Sequence, residues 1–310
     1  MLRLRRYVRG SFPPAVYLPY ALAWALGGTA MFALGQHGKH GQRGPRGVDG
    51  VGTWQPGWAT LATVASFTVL LLMVRAVDDL RDLDYDRVHN PRRPLASGAV
   101  AVGDVGLLIG AGTVVVLLLN APRGLALTGA ATALLYLAVL LAADRLAHWP
   151  SGDALIVSAL ISLPVQLLLG GYLYATLLHD SHQSAGPAAL LPLAAMLAVF
   201  THLELARKTT RAPKPGERAY TTVFGVEATA RAALGAAAVA TVLALMLTQP
   251  WNPGAQAGWL VLLPAALPVR GALRFWRGGA ERWPSADAGF YVLAAFTAFL
   301  VVDLVERHTP

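Results

Sequence analysis

Long runs of apolar residues constrain this chain more than any other feature of its sequence. Nine such runs lie between polar breaks, approximately at 14–35, 56–78, 100–120, 124–143, 153–178, 187–206, 228–248, 257–275 and 286–305. A helix needs about 20 predominantly apolar residues to cross the hydrocarbon core of a bilayer. These runs also lack the 3.6-residue stripe of a half-buried soluble helix. The sequence therefore predicts an all-α fold, a polytopic membrane helical bundle of about nine transmembrane helices.

The composition agrees with this prediction. Charged residues make up 14% of the 310 residues, whereas soluble domains carry about 25%. The formal net charge of +8 is explained by arginines that flank the predicted spans, so the expected partner is the lipid bilayer and not nucleic acid. The absence of cysteine excludes disulfides, thiolate chemistry and Cys-ligated metals. No stretch between the spans is long enough for a separate soluble domain, so we expect a single domain over residues 1–310.

The positions of lysine and arginine predict the topology. Basic clusters occur at the N-terminus and after the second, sixth and eighth spans, and all of them are cytoplasmic if the N-terminus is cytoplasmic. A Gly-rich insertion on the opposite side carries Lys39, Arg43 and Arg46 and is expected to be flexible. Pro264 and Pro268 predict a kinked eighth span. Abundant Ala, Arg and Gly is typical of GC-rich bacterial genomes, so the expected location is a bacterial plasma membrane.

Five aspartates fall within nine residues in the segment VRAVDDLRDLDYDRVHNPRRPLASG (74–98). At 100° per residue, all but Asp84 share one helical stripe of about 100°. Like charges on one stripe repel each other. A bound cation removes this cost, and all-oxygen ligands suit Mg²⁺. The members of the stripe, which we predict to bind Mg²⁺, are Asp78, Asp79, Asp82 and Asp86.

Magnesium commonly takes one or two carboxylates and completes its shell with phosphate oxygens and water. The stripe therefore predicts a phosphate-bearing substrate. Arg92 and Arg93 follow it, and guanidinium groups are suited to bidentate phosphate contact. The alternative is a solvated loop in which the aspartates pair with the neighbouring arginines.

The segment DDLRDLDYDRVHNPRRPLASG resembles the first aspartate-rich motif of the UbiA superfamily of intramembrane prenyltransferases. Members typically show N/D-D-x-x-D-x-x-x-D, a short basic segment and an R-P-hydrophobic-x-S-G ending. The four aspartates of the stripe match the acidic positions. The ending is matched by Arg93, Pro94, Leu95, Ser97 and Gly98. The nine predicted spans and the motif after the second of them also match, so the resemblance covers essentially the whole chain.

The second acidic motif of that family, usually D-x-x-x-D after the sixth span, is absent in its usual form. No aspartate occurs between Asp180 and Asp287, and HLELARKTTRAPKPGERAYTTVFG stands in its place. This segment resembles a variant branch with an E-x-x-R-K helix end and a later Tyr-Ser/Thr element. The matching residues are Glu204, Arg207, Lys208, Tyr220 and Thr221. An ordinary i,i+4 pair between Glu204 and Lys208 is the alternative interpretation.

The resemblance implies an Mg²⁺-dependent transfer of a prenyl group from a prenyl diphosphate to an aromatic or other small hydrophobic acceptor. The diphosphate would be bound between the two cytoplasmic loops, and the aspartates of the first motif would be catalytic. Glu204 and Glu217 are the acids available as further metal ligands. Residues expected to contact diphosphate are Arg92, Arg93, Arg145, Arg207, Lys208, Lys214 and Tyr220. Arg145 pairs with Asp144 in the alternative interpretation. Tyr136, Tyr172 and Tyr174 are candidates for the cavity wall or for ordinary packing.

Two other functions remain open at this point. A UbiA-type terpene cyclase would form the same allylic cation and capture it with the substrate's own double bonds. A cation transporter or channel would need ionisable residues near the middle of its spans, whereas the acids of this chain gather at the ends.

Overall fold

The computed structural model describes residues 2–37, 54, 56–149 and 155–308. Within these ranges the chain is all-α, apart from one isolated antiparallel bridge between Thr210 and Arg282. The helices are α1 (Leu2–Ser11), α2 (Pro14–His37), α3 (Trp58–Arg81), α4 (Leu83–His89), α5 (Val102–Asn120), α6 (Gly124–Ala147), α7 (Leu155–Ser181), α8 (Leu190–Arg207), α9 (Thr221–Phe224), α10 (Val226–Thr248), α11 (Ala266–Trp276) and α12 (Ser285–His308).

Nine helical segments of the described residues are long and apolar enough to cross a membrane, and they coincide with the nine predicted runs. Large apolar side chains on them are left exposed, as with Leu107 and Leu118 on α5 at 66% and 68%. Such surfaces are stable against lipid and costly in water. The chain is therefore an integral membrane protein.

The eighth span is irregular, as its prolines predict. It begins as a 3₁₀-helix over Gln256–Ala265 that contains Pro264, and continues as α11. Proline lacks an N–H donor and clashes with the preceding turn, which disfavours a regular α-helix. The predicted Gly-rich insertion, with Lys39, Arg43 and Arg46, lies outside the described residues.

Two compact units make up the chain. The first contains residues 1–25 and 55–180, and the second contains residues 26–54 and 181–310. In the first unit α3 packs against α5 and α6. Its core near the aspartate motif consists of Tyr7, Ala76, Leu80, Leu83, Leu95, Val100 and Val105. The prediction of one domain over residues 1–310 stays a prediction.

In the second unit α8 packs against α10 and α12. Small alanines allow the helices to approach closely, and Phe275 and Trp283 fill the space beside them. The alanines of this core are Ala206, Ala230, Ala233, Ala272 and Ala288.

Three short helices were not predicted from the apolar runs. The most important is α1, which exposes its arginines and buries Tyr7 and Ser11. It is too short and too polar to span a bilayer, and its one buried face is what an amphipathic surface helix shows. The others, α4 and α9, continue the polar segments that follow the second and sixth spans.

Candidate functional site

The aspartate motif lies at the end of the second span, where α3 passes into α4. Asp82 separates the two helices, so the stripe is not one uninterrupted helix as the sequence suggested. The backbone N–H of Asp82 nevertheless donates to the carbonyl of Asp78 at 2.8 Å, and that of Asp86 donates to Asp82 at 2.8 Å. Because these i→i+4 bonds continue through the junction, the helical spacing of the four aspartates is retained.

Burial divides the aspartates as the helical spacing predicts. The side chains of Asp79 and Asp86 are 3% exposed, whereas that of Asp84 is 94% exposed. Asp84 makes a surface ion pair with Arg87 at 2.9 Å. The prediction that Asp84 points to another face is confirmed.

Arg93 joins the two buried carboxylates. Its Nη1 lies 2.5 Å from Oδ2 of Asp86 and 3.8 Å from Oδ1 of Asp79. Asn90 adds a donor, because its Nδ2 lies 2.8 Å from Oδ1 of Asp86. The structure therefore brings Arg93, predicted to contact diphosphate, next to two of the predicted metal ligands, and the guanidinium offsets the repulsion between them.

Asp79 has two further partners that sequence reasoning missed. The hydroxyl of Tyr7, a fully buried residue of α1, donates to Oδ2 of Asp79 at 3.0 Å. Nη2 of Arg75 lies 2.5 Å from Oδ1 of Asp79. Burial, followed by the Asp79 carboxylate, raises the pKa of Tyr7, so the phenol remains a donor. The i,i+4 spacing of Arg75 and Asp79 was the available signal for that pair. Contact between Tyr7 and Asp79 requires the docking of α1, which no local pattern encodes.

We expect Tyr7→Phe to destabilise the protein by about 1–3 kcal/mol, because it removes a donor from a buried carboxylate. Thermal unfolding of the detergent-purified protein measures this loss. Tyr17→Phe is the matched control, since the ring of Tyr17 stacks on Phe12 at 4.1 Å and phenylalanine retains the stacking. Equal melting temperatures for the Tyr7 and Tyr17 variants would contradict the prediction.

The residues at the end of α3 could supply part of the coordination shell of Mg²⁺ but not the whole of it. Among the described residues, no three carboxylate or imidazole groups form a cluster that could hold a metal ion. Oδ1 of Asp79, however, is buried and receives no hydrogen bond of acceptable geometry from any described residue, despite the close Arg75. One or two carboxylates are what the protein usually gives to Mg²⁺ when phosphate and water complete the shell. The donor set thus suits a cation that arrives with a phosphate group.

Arg93 contacts Asp79 and Asp86, whereas Arg92 and Arg145 lie elsewhere. Arg92 is exposed and lines a groove together with arginines of α1. Nε of Arg145 lies 3.9 Å from Oδ2 of Asp144 at the end of α6, which is the local ion pair that the sequence left open. Contact of either arginine with diphosphate stays a prediction.

In the second unit, the predicted second motif forms a cluster at the end of α8. Nζ of Lys208 lies 2.5 Å from Oε1 of Glu204, and the hydroxyl of Tyr220 donates to the same oxygen at 3.2 Å. The ammonium also lies 5.3 Å from the centre of the Tyr220 ring, within cation–π range. Burial, and then the Glu204 carboxylate, raises the pKa of Tyr220. The structure thus brings together three of the predicted site residues, while Arg207 and Lys214 are exposed nearby in the chain.

Glu217 occupies a different position from Glu204. Its carboxylate binds Arg282 through two contacts of 2.6 and 2.8 Å, and Oε2 also accepts the backbone N–H of Lys214 at 2.9 Å. These bonds close the loop after α8 against the segment before α12. Both oxygens are therefore engaged, and Glu217 would have to release Arg282 in order to bind a metal.

A pH-dependent stability is expected from Glu217. The hydrogen bonds from Arg282, which outweigh burial, lower the pKa of Glu217 from 4.5 to about 2. The pair therefore stabilises the fold fully above pH 4.5, and this contribution is lost as the pH falls toward 2. We expect the wild type to melt above Glu217→Gln at pH 6, with the difference shrinking below pH 4.5. Glu227→Gln, which removes an exposed carboxylate of the same unit that accepts a hydrogen bond from Trp276 at 3.0 Å, is the control for the loss of one negative charge. A gap between wild type and Glu217→Gln that persists unchanged at pH 2.5 would contradict the assignment.

The three predicted cavity tyrosines lie on α6 and α7. The hydroxyl of Tyr136 donates to the carbonyl of Ile161 at 2.8 Å. Tyr172 is fully buried and donates to Oδ1 of Asn120 at 3.1 Å, while Nδ2 of Asn120 donates to Ser66 at 2.9 Å. These bonds tie neighbouring helices of the first unit together, which supports the packing role that the sequence left open. Tyr174 is partly buried, and a cavity-wall role for the three residues stays a prediction.

Comparison with known proteins gives a result only at the level of structure. No protein-family model and no curated protein matches the sequence. The apo structure of a UbiA homolog from Aeropyrum pernix K1 matches with a TM-score of 0.62 and 19% identity, over 92% of this chain and 97% of that one. A structure of digeranylgeranylglyceryl phosphate synthase matches with a TM-score of 0.59 and 12% identity, over 98% and 99% of the two chains.

A UbiA homolog from Archaeoglobus fulgidus, bound to DMAPP and Mg²⁺, matches with a TM-score of 0.55 and 16% identity. The match covers 98% of this chain and 100% of that one. All these matches extend over nearly the whole length of both proteins, and they agree with the nine spans and the all-α architecture. The chain therefore has the fold of the UbiA homologs.

Proposed function

We propose that this protein is a member of the UbiA superfamily and a Mg²⁺-dependent intramembrane prenyltransferase. It transfers a prenyl group from a prenyl diphosphate to a small hydrophobic or aromatic acceptor. The observation that carries the proposal is the pair of buried carboxylates, Asp79 and Asp86, that share Arg93 at the end of a membrane span. The UbiA-type fold supports it, and one structure with that fold is bound to DMAPP and Mg²⁺.

Each group at the end of α3 has a role in this reaction. Asp78, Asp79, Asp82 and Asp86 are the residues from which one or two carboxylates would ligate the cation. Bound Mg²⁺ supplies positive charge that neutralises the leaving diphosphate. Arg93 lies beside both buried carboxylates and provides guanidinium donors for phosphate oxygens. The partial exposure of Arg93, at 35% of its side chain, leaves it accessible to such a ligand.

The reaction breaks the bond between the allylic carbon and the diphosphate oxygen, and the bonding electrons leave with the diphosphate. The resulting allylic cation accepts electrons from a nucleophilic carbon of the acceptor. The acceptor then loses a proton to the released diphosphate or to water. Both organic substrates are apolar over most of their surface, and a protein embedded in the membrane can receive them directly from the bilayer.

We propose that the cluster at the end of α8 contributes positive charge for binding diphosphate. Lys208 and Tyr220 already converge on Glu204, and Arg207 and Lys214 add exposed positive charge. In this proposal the basic residues and Tyr220 bind diphosphate, and Glu204 is available as a further metal ligand. Glu217 is a weaker candidate, since Arg282 occupies its carboxylate.

We further propose that the aspartate motif is cytoplasmic, on the basis of the arginine distribution. The abundance of Ala, Arg and Gly supports a bacterial plasma membrane as its location. The chain has no cysteine, so Asp84→Cys introduces a single, exposed thiol. Oriented cell-derived vesicles treated with a membrane-impermeant maleimide should label this thiol in inside-out vesicles and leave it unlabelled in right-side-out ones. Labelling in right-side-out vesicles alone would show that the aspartate motif lies on the outer side of the membrane.

Enzyme assays with the purified protein in nanodiscs test the activity. Geranyl, farnesyl and geranylgeranyl diphosphates are supplied separately with Mg²⁺ or EDTA, with and without aromatic acceptors, and pyrophosphate release and organic products are measured. Release that requires both Mg²⁺ and an acceptor is the expected result. Cyclic hydrocarbon formed without an acceptor would instead identify a terpene cyclase. Absence of Mg²⁺-dependent release with every donor and acceptor would contradict the proposed chemistry.

A further inference from the structure

A second, strongly basic feature lies in the first unit, between α1 and the segment that follows the aspartates. It is a groove of about 530 Å³. Four arginines contribute to it, and no acid is found among the described residues that line it. The lining consists of Leu2, Arg5, Arg6, Arg9, Gly10, Arg92, Pro94, Ser97 and Ala99. We refer to this feature as the arginine groove.

The walls of the arginine groove are fixed by close packing. A Cβ atom placed on Gly10 would lie 2.4 Å from Cγ of Pro94, so α1 is in direct contact with the opposite wall. Tyr7 anchors the other face of α1 in the core of the first unit. Pro94 is buried, and its carbonyl accepts the backbone N–H of Val100 at 3.1 Å. The arginines are therefore presented by two segments whose relative position is set by packing.

The chemistry of the arginine groove selects phosphate. Guanidinium groups match phosphate oxygens with paired donors. The Ser97 hydroxyl in the lining donates to the carbonyl of Pro94 at 3.2 Å, so the arginines are the donors for a phosphate. Arg5, Arg6, Arg9 and Arg92 are all exposed and of like charge, so an anion between them offsets their repulsion. The positive-inside tendency explains basic residues near a span. It does not require Arg92, from a distant part of the sequence, to share a groove with the arginines of α1.

The position of the groove indicates where the phosphate comes from. Two residues after α1, the chain enters α2, the first membrane-spanning helix. Leu2 lies in the groove lining and is 83% exposed. An apolar side chain among arginines, on an amphipathic helix next to a span, is typical of a helix that lies in the headgroup region. We propose that the arginine groove binds the phosphate headgroup of an anionic membrane lipid. In this proposal Arg92 contacts lipid phosphate, whereas the family resemblance implies contact with substrate diphosphate. The proposal does not depend on the proposed enzymatic activity.

Lipid binding can be measured directly by native mass spectrometry of the detergent-purified protein. The protein is equilibrated with phosphatidylglycerol or with phosphatidylcholine of the same acyl chains, and the lipid-bound fraction is compared. We expect wild type to prefer phosphatidylglycerol, and Arg9→Gln/Arg92→Gln to weaken its binding by about 10-fold or more. The matched control is Arg3→Gln/Arg231→Gln, which removes the same charge from exposed arginines outside the groove.

Two results would overturn the proposal. Equal retention of phosphatidylglycerol by the groove variant and the control would show that the four arginines do not form a lipid site. The second arm adds inorganic diphosphate in place of lipid. Binding of inorganic diphosphate that the groove variant loses, without any preference for phosphatidylglycerol in the wild type, would identify a site for soluble phosphate instead. Melting temperatures of both double variants, which should match the wild type, confirm that the comparison concerns folded protein.

Discussion

Asp82→Asn is expected to lower Mg²⁺-dependent pyrophosphate release by about 100-fold or more, while leaving the protein folded. Asp82 lies at the junction of α3 and α4, one helical turn from both Asp78 and Asp86. The substitution keeps the shape of the side chain and its capacity to accept a hydrogen bond, but removes a negative charge that the cation requires. Loss of one group that stabilises developing charge commonly costs 10²–10³-fold in rate. The release rate at saturating prenyl diphosphate measures the effect.

The matched control is Asp84→Asn, an identical substitution two residues away. Asp84 is almost fully exposed and pairs with Arg87, so its replacement is expected to change the rate by less than about threefold, since isolated surface pairs contribute little. Similar losses in the two variants would contradict the assignment of the stripe. They would indicate that the segment acts through its overall charge and not through a defined face.

Arg123→Met is expected to destabilise the protein strongly. Nη2 of Arg123 lies 3.0 and 2.8 Å from the two carboxylate oxygens of Asp180, and the two side chains are 8% and 15% exposed. Removing one member of a buried ion pair leaves the other charge uncompensated and costs about 3–5 kcal/mol. A fall in melting temperature of about 10 °C in detergent is the corresponding observation.

The double variant Arg123→Met/Asp180→Leu tests the cause of that loss. Replacement of both partners by apolar residues of similar volume is often close to neutral, so the double variant should recover most of the stability of the wild type. An equally low melting temperature in the double variant would mean that Arg123 acts through packing. Unchanged stability in Arg123→Met alone would contradict the importance of the pair.

The spans could be predicted from the sequence because the cause is local. A bilayer demands about 20 apolar residues per helix, and this demand acts on each segment separately, whatever its neighbours. Irregularity around Pro264 was predictable for the same reason, since proline disturbs the turn in which it stands. The short helix α1 was missed because its ten residues carry four arginines, and its only large buried side chain, Tyr7, is explained by contacts with residues far along the chain.

The acidic part of the site was also predictable, because helical spacing alone places Asp84 apart from Asp79 and Asp86. What the spacing could not give was the set of partners. The bond from Tyr7 to Asp79 and the pairing of Glu217 with Arg282 join residues 72 and 65 positions apart. Arg123 illustrates the same point. In the sequence it is an isolated positive charge on the side predicted to be poor in them, and in the structure it is explained by Asp180, 57 residues later.

The measurement that tests the central claim most directly is the binding of Mn²⁺, as a paramagnetic substitute for Mg²⁺, followed by electron paramagnetic resonance. One or two carboxylates from the aspartate stripe and an incomplete shell predict that the cation binds tightly only together with a prenyl diphosphate. Wild type and Asp84→Asn should therefore bind Mn²⁺ saturably when geranyl diphosphate is present, with a resolved coupling to phosphorus, and Asp82→Asn should bind it much more weakly. Equal binding by Asp82→Asn and Asp84→Asn, or binding without phosphorus coupling, would contradict the claim that the aspartates at the end of α3 hold a metal–diphosphate complex.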